Sequence, residues 1–296
     1  MRVLRLHSAA AGTGQHVVLA ALCSSSSDGR RAMWAVIPVK RFELAKQRLA
    51  QSLPPATRAA LAEAMLEDVL AALAAVPELQ GRLIISQEPR VRALAARHNC
   101  TVLDEASDSD LCHALEQAAL HLEREGVEGI LIVPGDVPLL QAATVSALLR
   151  AHKCVTVVPD REGVGTNCLI VSPPRAIAFQ FGVDSARAHR QAALERGLNA
   201  VVREMPELAL DIDSADDLRE LQQRGAATRT QAVLDAWSQE RSAQLAPATE
   251  ADPELDSAGL SATRAGATKA CATRTASAGT ERTSDSRTIG LGRESG

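Results

Sequence analysis

Short apolar runs alternate along the chain with longer segments in which apolar residues recur at helical spacing. Ala35–Val39, Leu83–Ser86, Thr101–Leu103, Gly129–Val133, Val155–Val158, Asn167–Val171 and Ala209–Ile212 read as strands. Runs dense in Ile, Val and Leu belong to strands covered on both faces. Pro54–Val76, Pro89–His98, Leu111–Glu125, Ala142–His152, Ser185–Arg196 and Ser214–Gln223 read as helices. In the first of these, Leu61, Met65, Leu66, Val69, Leu70 and Leu73 make one apolar stripe. Strands alternating with helices predict an α/β fold, a three-layer and mostly parallel sheet.

The pattern fades at both ends. From about Ala226 the chain turns rich in Thr, Ala, Ser and Gly, and such composition cannot bury enough surface to offset its ordering entropy. The folded domain is therefore expected at residues 33–225, followed by a low-complexity tail, 226–296, with one short helix around Thr230–Leu245. At the other end, Arg2 and Arg5 precede the short apolar run Val17–Cys23 and a serine cluster, a faint imitation of a signal peptide. Residues 1–32 read as a disordered extension, or as sequence upstream of a functional start at Met33.

Composition narrows the function. The chain of 296 residues is 46% hydrophobic but only 2% aromatic, with no Tyr. That leaves no stacking platform for single-stranded nucleic acid. A formal charge of −4 argues against a general polyanion binder, while a small phosphorylated ligand needs only a local cationic pocket. The six cysteines form no CxxC pair and no Cys/His cluster, so reduced thiols in a cytoplasmic protein are expected. No apolar stretch approaches the roughly 20 residues of a membrane span.

Candidate chemistry gathers at strand ends. The segment Ile130–Leu140 carries one acid, Asp136, just past a buried strand, where open α/β sheets bind ligands. Lys40, Lys46 and Arg48 follow the first strand closely, a cationic loop suited to a nucleoside triphosphate, although neither a dinucleotide glycine fingerprint nor a P-loop is present. Asp211 and Asp213 flank Ile212; as alternate residues of a strand they would face one side and, with Asp136, make an oxygen cluster for Mg²⁺. Asp213 also suits a helix cap. Gly165, Thr166 and Asn167 sit at a glycine-rich connection, and Ser185 is placed to cap a helix whose free N–H groups would bind an anion. His189 lies one turn later on the same face, in reach of that anion or simply packed.

In order along the chain these motifs are Ile37-Pro38-Val39-Lys40, Ala45-Lys46-Gln47-Arg48-Leu49, Pro134-Gly135-Asp136-Val137-Pro138, Gly165-Thr166-Asn167, Phe181-Gly182 through Ser185 and His189, and Leu210-Asp211-Ile212-Asp213 with Asp217-Leu218. Together they resemble the guanylyltransferase family that builds the deazaflavin coenzyme F-420. The resemblance implies a nucleotidyltransferase fold related to the nucleotide-sugar transferases. It also implies transfer of GMP from GTP to 2-phospho-L-lactate, phosphoenolpyruvate or 3-phospho-D-glycerate. Thr166, Gly182 and Ser185 would hold the phospho-acid, with Gly165, Asn167, His189 and Cys112 around it. Pro38, Lys40, Lys46 and Arg48 would face the nucleotide, and Asp136, Asp211 and Asp213 would hold Mg²⁺. Asp136, Lys40 and Lys46 would carry the chemistry. A downstream transferase of the deazaflavin route is the implied partner, with no nucleic acid or membrane, and a homodimer is left open. One departure stands out. Where the family shows Gly-Leu-Asn, this chain has Asp110-Leu111-Cys112, and the altered segment leans the acceptor towards 3-phospho-D-glycerate. Another nucleotidyltransferase of this fold, acting on molybdopterin or a sugar phosphate, and a non-catalytic nucleotide-binding protein are the alternatives.

Overall fold

The structure is a computed structural model, and residues 31–104 and 110–245 are described. The expectations for the first 30 residues and for the chain beyond 245 lie outside them. Strands β1 (Met33–Val39), β2 (Leu79–Ser86), β3 (Thr101–Leu103), β4 (Gly129–Ile132), β5 (Val155–Pro159), β6 (Thr166–Val171) and β7 (Ala200–Val202) form one seven-stranded sheet in the order β3-β2-β1-β4-β6-β5-β7. All neighbours run parallel except β6, which is antiparallel to both β4 and β5.

Helices α1 (Pro55–Ala74), α2 (Val91–Arg97), α3 (Leu111–Arg124), α4 (Ala142–Ala151), α5 (Ser185–Glu195), α6 (Pro206–Ala209), α7 (Ala215–Arg224) and α8 (Arg229–Leu245) complete the described elements. The strand period sorts the core into two layers. Ala35, Ile37 and Val39 of β1 face the cluster of Leu61, Met65, Leu66, Val69 and Leu70 from α1, while Val36 faces Ala114, Ala118 and Leu122 of α3. β4 alternates likewise, Leu131 on the first side and Ile130 and Ile132 on the second. The two buried faces explain why these strands carry unbroken apolar runs.

Two differences from the sequence pattern have physical causes. Ala209–Ile212 is not a strand: α6 occupies its start, and the remaining backbone bonds elsewhere, with the Ile212 N–H donating to the Asp136 carbonyl at 3.2 Å. The last strand is instead Ala200–Val202, a half-exposed edge of β5, too short to show a period. The packed body also runs past residue 225. The side chain of Asp68 on α1 accepts from Arg229 N (2.9 Å), Thr230 N (2.9 Å) and Thr230 Oγ1 (2.7 Å), capping α8 from another element. Thr230 and Leu234 are buried as a result.

Cys100, Cys112 and Cys168 are free. Among the described residues no helix is long and apolar enough to cross a membrane.

Candidate active site

The chain reverses its direction of sheet growth at β1, going first to β2 and β3 and then crossing to β4 on the other side. The loops after β1 and β4 lie at this switch point on the carboxyl edge, the place where open α/β sheets bind ligands. Because β6 is antiparallel, its first residue also arrives there: Ile132 pairs with Leu169, and Pro159 pairs with Thr166. The ends of β1, β4 and β5 and the start of β6 therefore share one rim.

The loop after β1 is pinned before it reaches the site. Ser86 Oγ donates to the Val39 carbonyl at 2.7 Å, and the buried Glu88 carboxylate accepts the Phe42 N–H at 2.8 Å. Burial alone would raise the Glu88 pKa, but the Phe42 N–H and Arg90 outweigh it and hold the carboxyl below its ordinary range. Lys46 follows in the left-handed region, φ 55°, between two short 3₁₀ turns. Arg58 of α1 reaches the carbonyls of Ala45 and Lys46 at 3.5 and 3.4 Å, and its buried Nε has no partner among the described residues. Arg58 and Glu88 hold this loop, and neither was legible as a functional residue in the sequence.

Thus held, Lys46 turns inward. Its Nζ donates to Asp136 Oδ2 at 2.7 Å and to Asp213 Oδ1 at 2.8 Å, with its side chain only 6% exposed. Burial would lower its pKa, but the two carboxylates outweigh that and raise it above the ordinary lysine value, so the ammonium stays charged. Lys40 is exposed on the rim, and Arg48 is exposed with its guanidinium 3.9 Å from Asp213. Pro38 is half-buried within β1.

Asp211 is raised above the ordinary carboxylate range, first by burial and then by the charge of Asp136, against a 3.2 Å hydrogen bond from Asn167 Nδ2. Asp136, Asp211 and Asp213 thus sit within electrostatic reach of one another, although not as alternate residues of a strand. Among the described residues no three acidic, His or Cys side chains are arranged as a ready-made metal cage. The set nevertheless fits Mg²⁺, which takes one or two carboxylates and completes its shell with water and phosphate oxygens. The Lys46 ammonium already stands as a cation between two of these carboxylates.

β6 splits its first two side chains between the sheet's faces. Asn167 is buried and donates to the Leu208 carbonyl at 2.9 Å, so it ties down the segment that leads to Asp211. Thr166 goes the other way, towards α5. Its Oγ1 lies 3.0 Å from Ser185 Oγ and 3.2 Å from His189 Nδ1. The turn before it is organised by Asp160, whose carboxylate accepts from Val164 N and Gly165 N at 2.9 and 2.8 Å. An acid a few residues before a glycine pair was a signal available in the sequence.

Ser185 is the first residue of α5, not its cap. Asp184 holds that place at φ 57° with no capping side chain, and the Ala186 N–H of the first turn donates to the Val164 carbonyl at 3.0 Å. Gly182 beside it has φ 136°, a conformation that side chains rarely adopt. His189 is wholly buried, and its ring meets that of Phe181 edge-on at 4.7 Å. Cys112, near the start of α3, places Sγ 3.7 Å from the Phe181 carbonyl, next to Gly182.

A cationic loop and three acids gather at one rim, and Thr166 on the same rim reaches the start of α5. The family model described as "Guanylyl transferase CofC like" matches residues 33–250. The chain belongs to this family. Three curated relatives of this CofC-like chain are similar along most of their own length. A phosphoenolpyruvate guanylyltransferase of Conexibacter woesei is 37% identical over 211 residues, 68% of this chain and 95% of its own. A 2-phospho-L-lactate guanylyltransferase of Methanothermobacter thermautotrophicus is 38% identical, covering 68% and 88%. A 3-phospho-D-glycerate guanylyltransferase of Phenylobacterium zucineum is 36% identical, covering 68% and 94%. The CofC-like chain is accordingly an enzyme, a nucleotidyltransferase. A structure from Desulfovibrio desulfuricans G20, assigned to the nucleotide-diphospho-sugar transferases, matches 72% of this chain and 96% of its own with a TM-score of 0.58. At 16% identity it supports the fold alone.

Proposed function

We propose that this enzyme transfers GMP from GTP to a phosphorylated three-carbon acid, releasing pyrophosphate, as a step in coenzyme F-420 biosynthesis. The observation that carries the reading is that adjacent residues of β6 serve both halves of the rim: Asn167 bonds Asp211, in the segment of the Lys46–Asp136–Asp213 group, and Thr166 pairs with Ser185. One group suits a triphosphate and the other a smaller anion. A phosphate oxygen of the acceptor attacks the α-phosphorus of GTP, and the bond to the pyrophosphate oxygen breaks in line. The acceptor phosphate is already largely ionised near neutral pH, its second pKa being about 6, so no general base is needed. The protein's work is positioning and charge neutralisation.

Lys46 and Lys40 place positive charge against the triphosphate, Lys46 with its position fixed by Arg58 and the two acids. Thr166, Ser185 and the first turn of α5 hold the phospho-acid. Asp136, Asp211 and Asp213 would hold Mg²⁺, which when bound supplies further neutralisation of phosphate charge. In this reading the acceptor is 3-phospho-D-glycerate, because Cys112 puts a thiol beside the Phe181–Ser185 segment where the family has an asparagine.

A competition assay tests both levels. The full chain is incubated with GTP, Mg²⁺ and equal amounts of the three phospho-acids. A coupled downstream transferase traps the labile products for mass spectrometry. One dominant product derived from 3-phospho-D-glycerate is expected, and Cys112→Asn should shift the ranking. An unchanged ranking removes the role given to Cys112. No pyrophosphate release from folded protein with any acceptor overturns the reaction itself.

A further inference from the structure

We propose that His189 is a positioning residue that sets how many hydroxyl protons the acceptor subsite can offer, and so makes that subsite a receptor for an acceptor-only group. This rests on the functional reading above for the identity of the ligand, but not for the chemistry of the network.

The argument is a count of protons. The Gln180 backbone N–H donates to His189 Nε2 at 3.0 Å. A nitrogen that accepts cannot carry a hydrogen, so the neutral ring holds its proton on Nδ1. Nδ1–H then donates to Thr166 Oγ1 at 3.2 Å. The Thr166 and Ser185 hydroxyls, 3.0 Å apart, have two protons between them and use one to bond each other. Whichever direction that bond takes, one hydroxyl proton remains, and no described residue accepts it.

The opposite tautomer would change the count. With the proton on Nε2, Nδ1 would accept from Thr166 and consume the second proton, leaving the pair with nothing to give. The Gln180 N–H forbids this arrangement. Thr166 is 9% exposed and Ser185 2%, while His189 is fully buried, so the histidine cannot touch the ligand and acts only through Thr166. The Phe181 ring edge packs on the imidazole and holds its plane. A spare donor at the start of α5, where no side chain caps the helix, suits a carboxylate or ionised phosphate oxygen, which can only accept.

Two measurements on the full chain test this. The first needs no substrate: long-range ¹⁵N–¹H correlation of histidine-labelled protein at neutral pH, with the His189 signal identified by its loss in His189→Asn. The Nδ1–H tautomer is expected; an Nε2–H tautomer or a charged ring overturns the proposal. The second is steady-state kinetics with GTP and 3-phospho-D-glycerate. His189→Leu leaves the pair its spare proton but removes the donor that fixes the Thr166 hydroxyl, so the spare proton is no longer aimed at the ligand and the phospho-acid KM should rise about tenfold or more, the order lost with one hydrogen bond to a charged group. The GTP KM should stay within about twofold. His189→Asn, whose side-chain amide can donate near the Nδ1 position, should recover most of the loss. A folded Leu variant with an unchanged phospho-acid KM, or with both KM values raised alike, overturns the positioning role. If the unsubstituted chain guanylylates no phospho-acid, the functional reading fails, and the tautomer by itself decides whether the proton count stands.

Discussion

Two buried, neutral histidines make the folded chain sensitive to mild acid, and the size of the effect follows from the structure. Burial pushes the His189 pKa down to about 4. Burial, followed by the nearby Arg31 charge, pushes His152 down to about 3. Both ring nitrogens of His152 are engaged as well, with Thr156 Oγ1 at 2.9 Å and Ser172 Oγ at 3.1 Å. In the unfolded chain each imidazole titrates near its ordinary value of about 6.5. A folded pKa below the unfolded one means the contribution is complete above about 6.5 and is lost as pH falls towards the folded value. Between pH 7.5 and 5.5 each histidine should remove about 1.4 kcal/mol of stability, so the pair removes about 3 kcal/mol. Glu78, Glu88 and Asp217 do not contribute in that window. Burial would raise all three, the hydrogen bonds they accept outweigh it, and their net shift is downward, so their stabilisation is lost only in stronger acid. Urea unfolding of the full chain at a series of pH values measures the loss. The perturbation is His189→Asn, which cannot titrate and should therefore lose about 1.4 kcal/mol less than the unsubstituted chain over the same range. An equal loss in both proteins would refute the reasoning, since it would mean that His189 is not held neutral by the fold.

Three other perturbations separate chemistry from stability. Asp136→Asn should lower turnover by about two orders of magnitude or more while thermal unfolding shifts little, because Lys46 keeps its 2.8 Å partner in Asp213; near-normal turnover in the folded variant would remove Asp136 from the reaction. Asp68→Ala should cost about 2–3 kcal/mol, since it strands the buried Thr230 hydroxyl and the first N–H groups of α8. Limited proteolysis near 226–229 should accelerate in that variant with kcat unchanged. Gly165→Ala should weaken phospho-acid binding more than GTP binding, as an added Cβ would lie 2.4 Å from the Asp160 carboxylate oxygen that orders the turn before Thr166; separate KM measurements for the two substrates check it.

The sequence by itself determined the layers and most of the strands of this protein. Burial on both faces writes itself locally, so the runs of β1 and β4 and the stripe of α1 were legible within a few residues of their ends. Asp136 was legible too, because an acid just past such a strand has nowhere to sit but the sheet's edge. The tertiary structure decided what those residues do. Lys46 meets acids 90 and 167 positions away, and no local period records a partner at that distance. Ala209–Ile212 carries the apolar content of a strand, yet its backbone groups are claimed by Asp136 and Asn167 before any strand can pair with it. The helix offered around Thr230–Leu245 was placed in a tail because the segment shows no apolar period; a carboxylate on α1 caps α8 and draws it into the body. His189 read as a residue in reach of an anion or simply packed, and the fold closes around it with Nδ1 3.2 Å from Thr166 Oγ1. Hydrophobic periodicity encodes which face is buried, whereas the partner of a polar group is chosen only when distant segments arrive beside it.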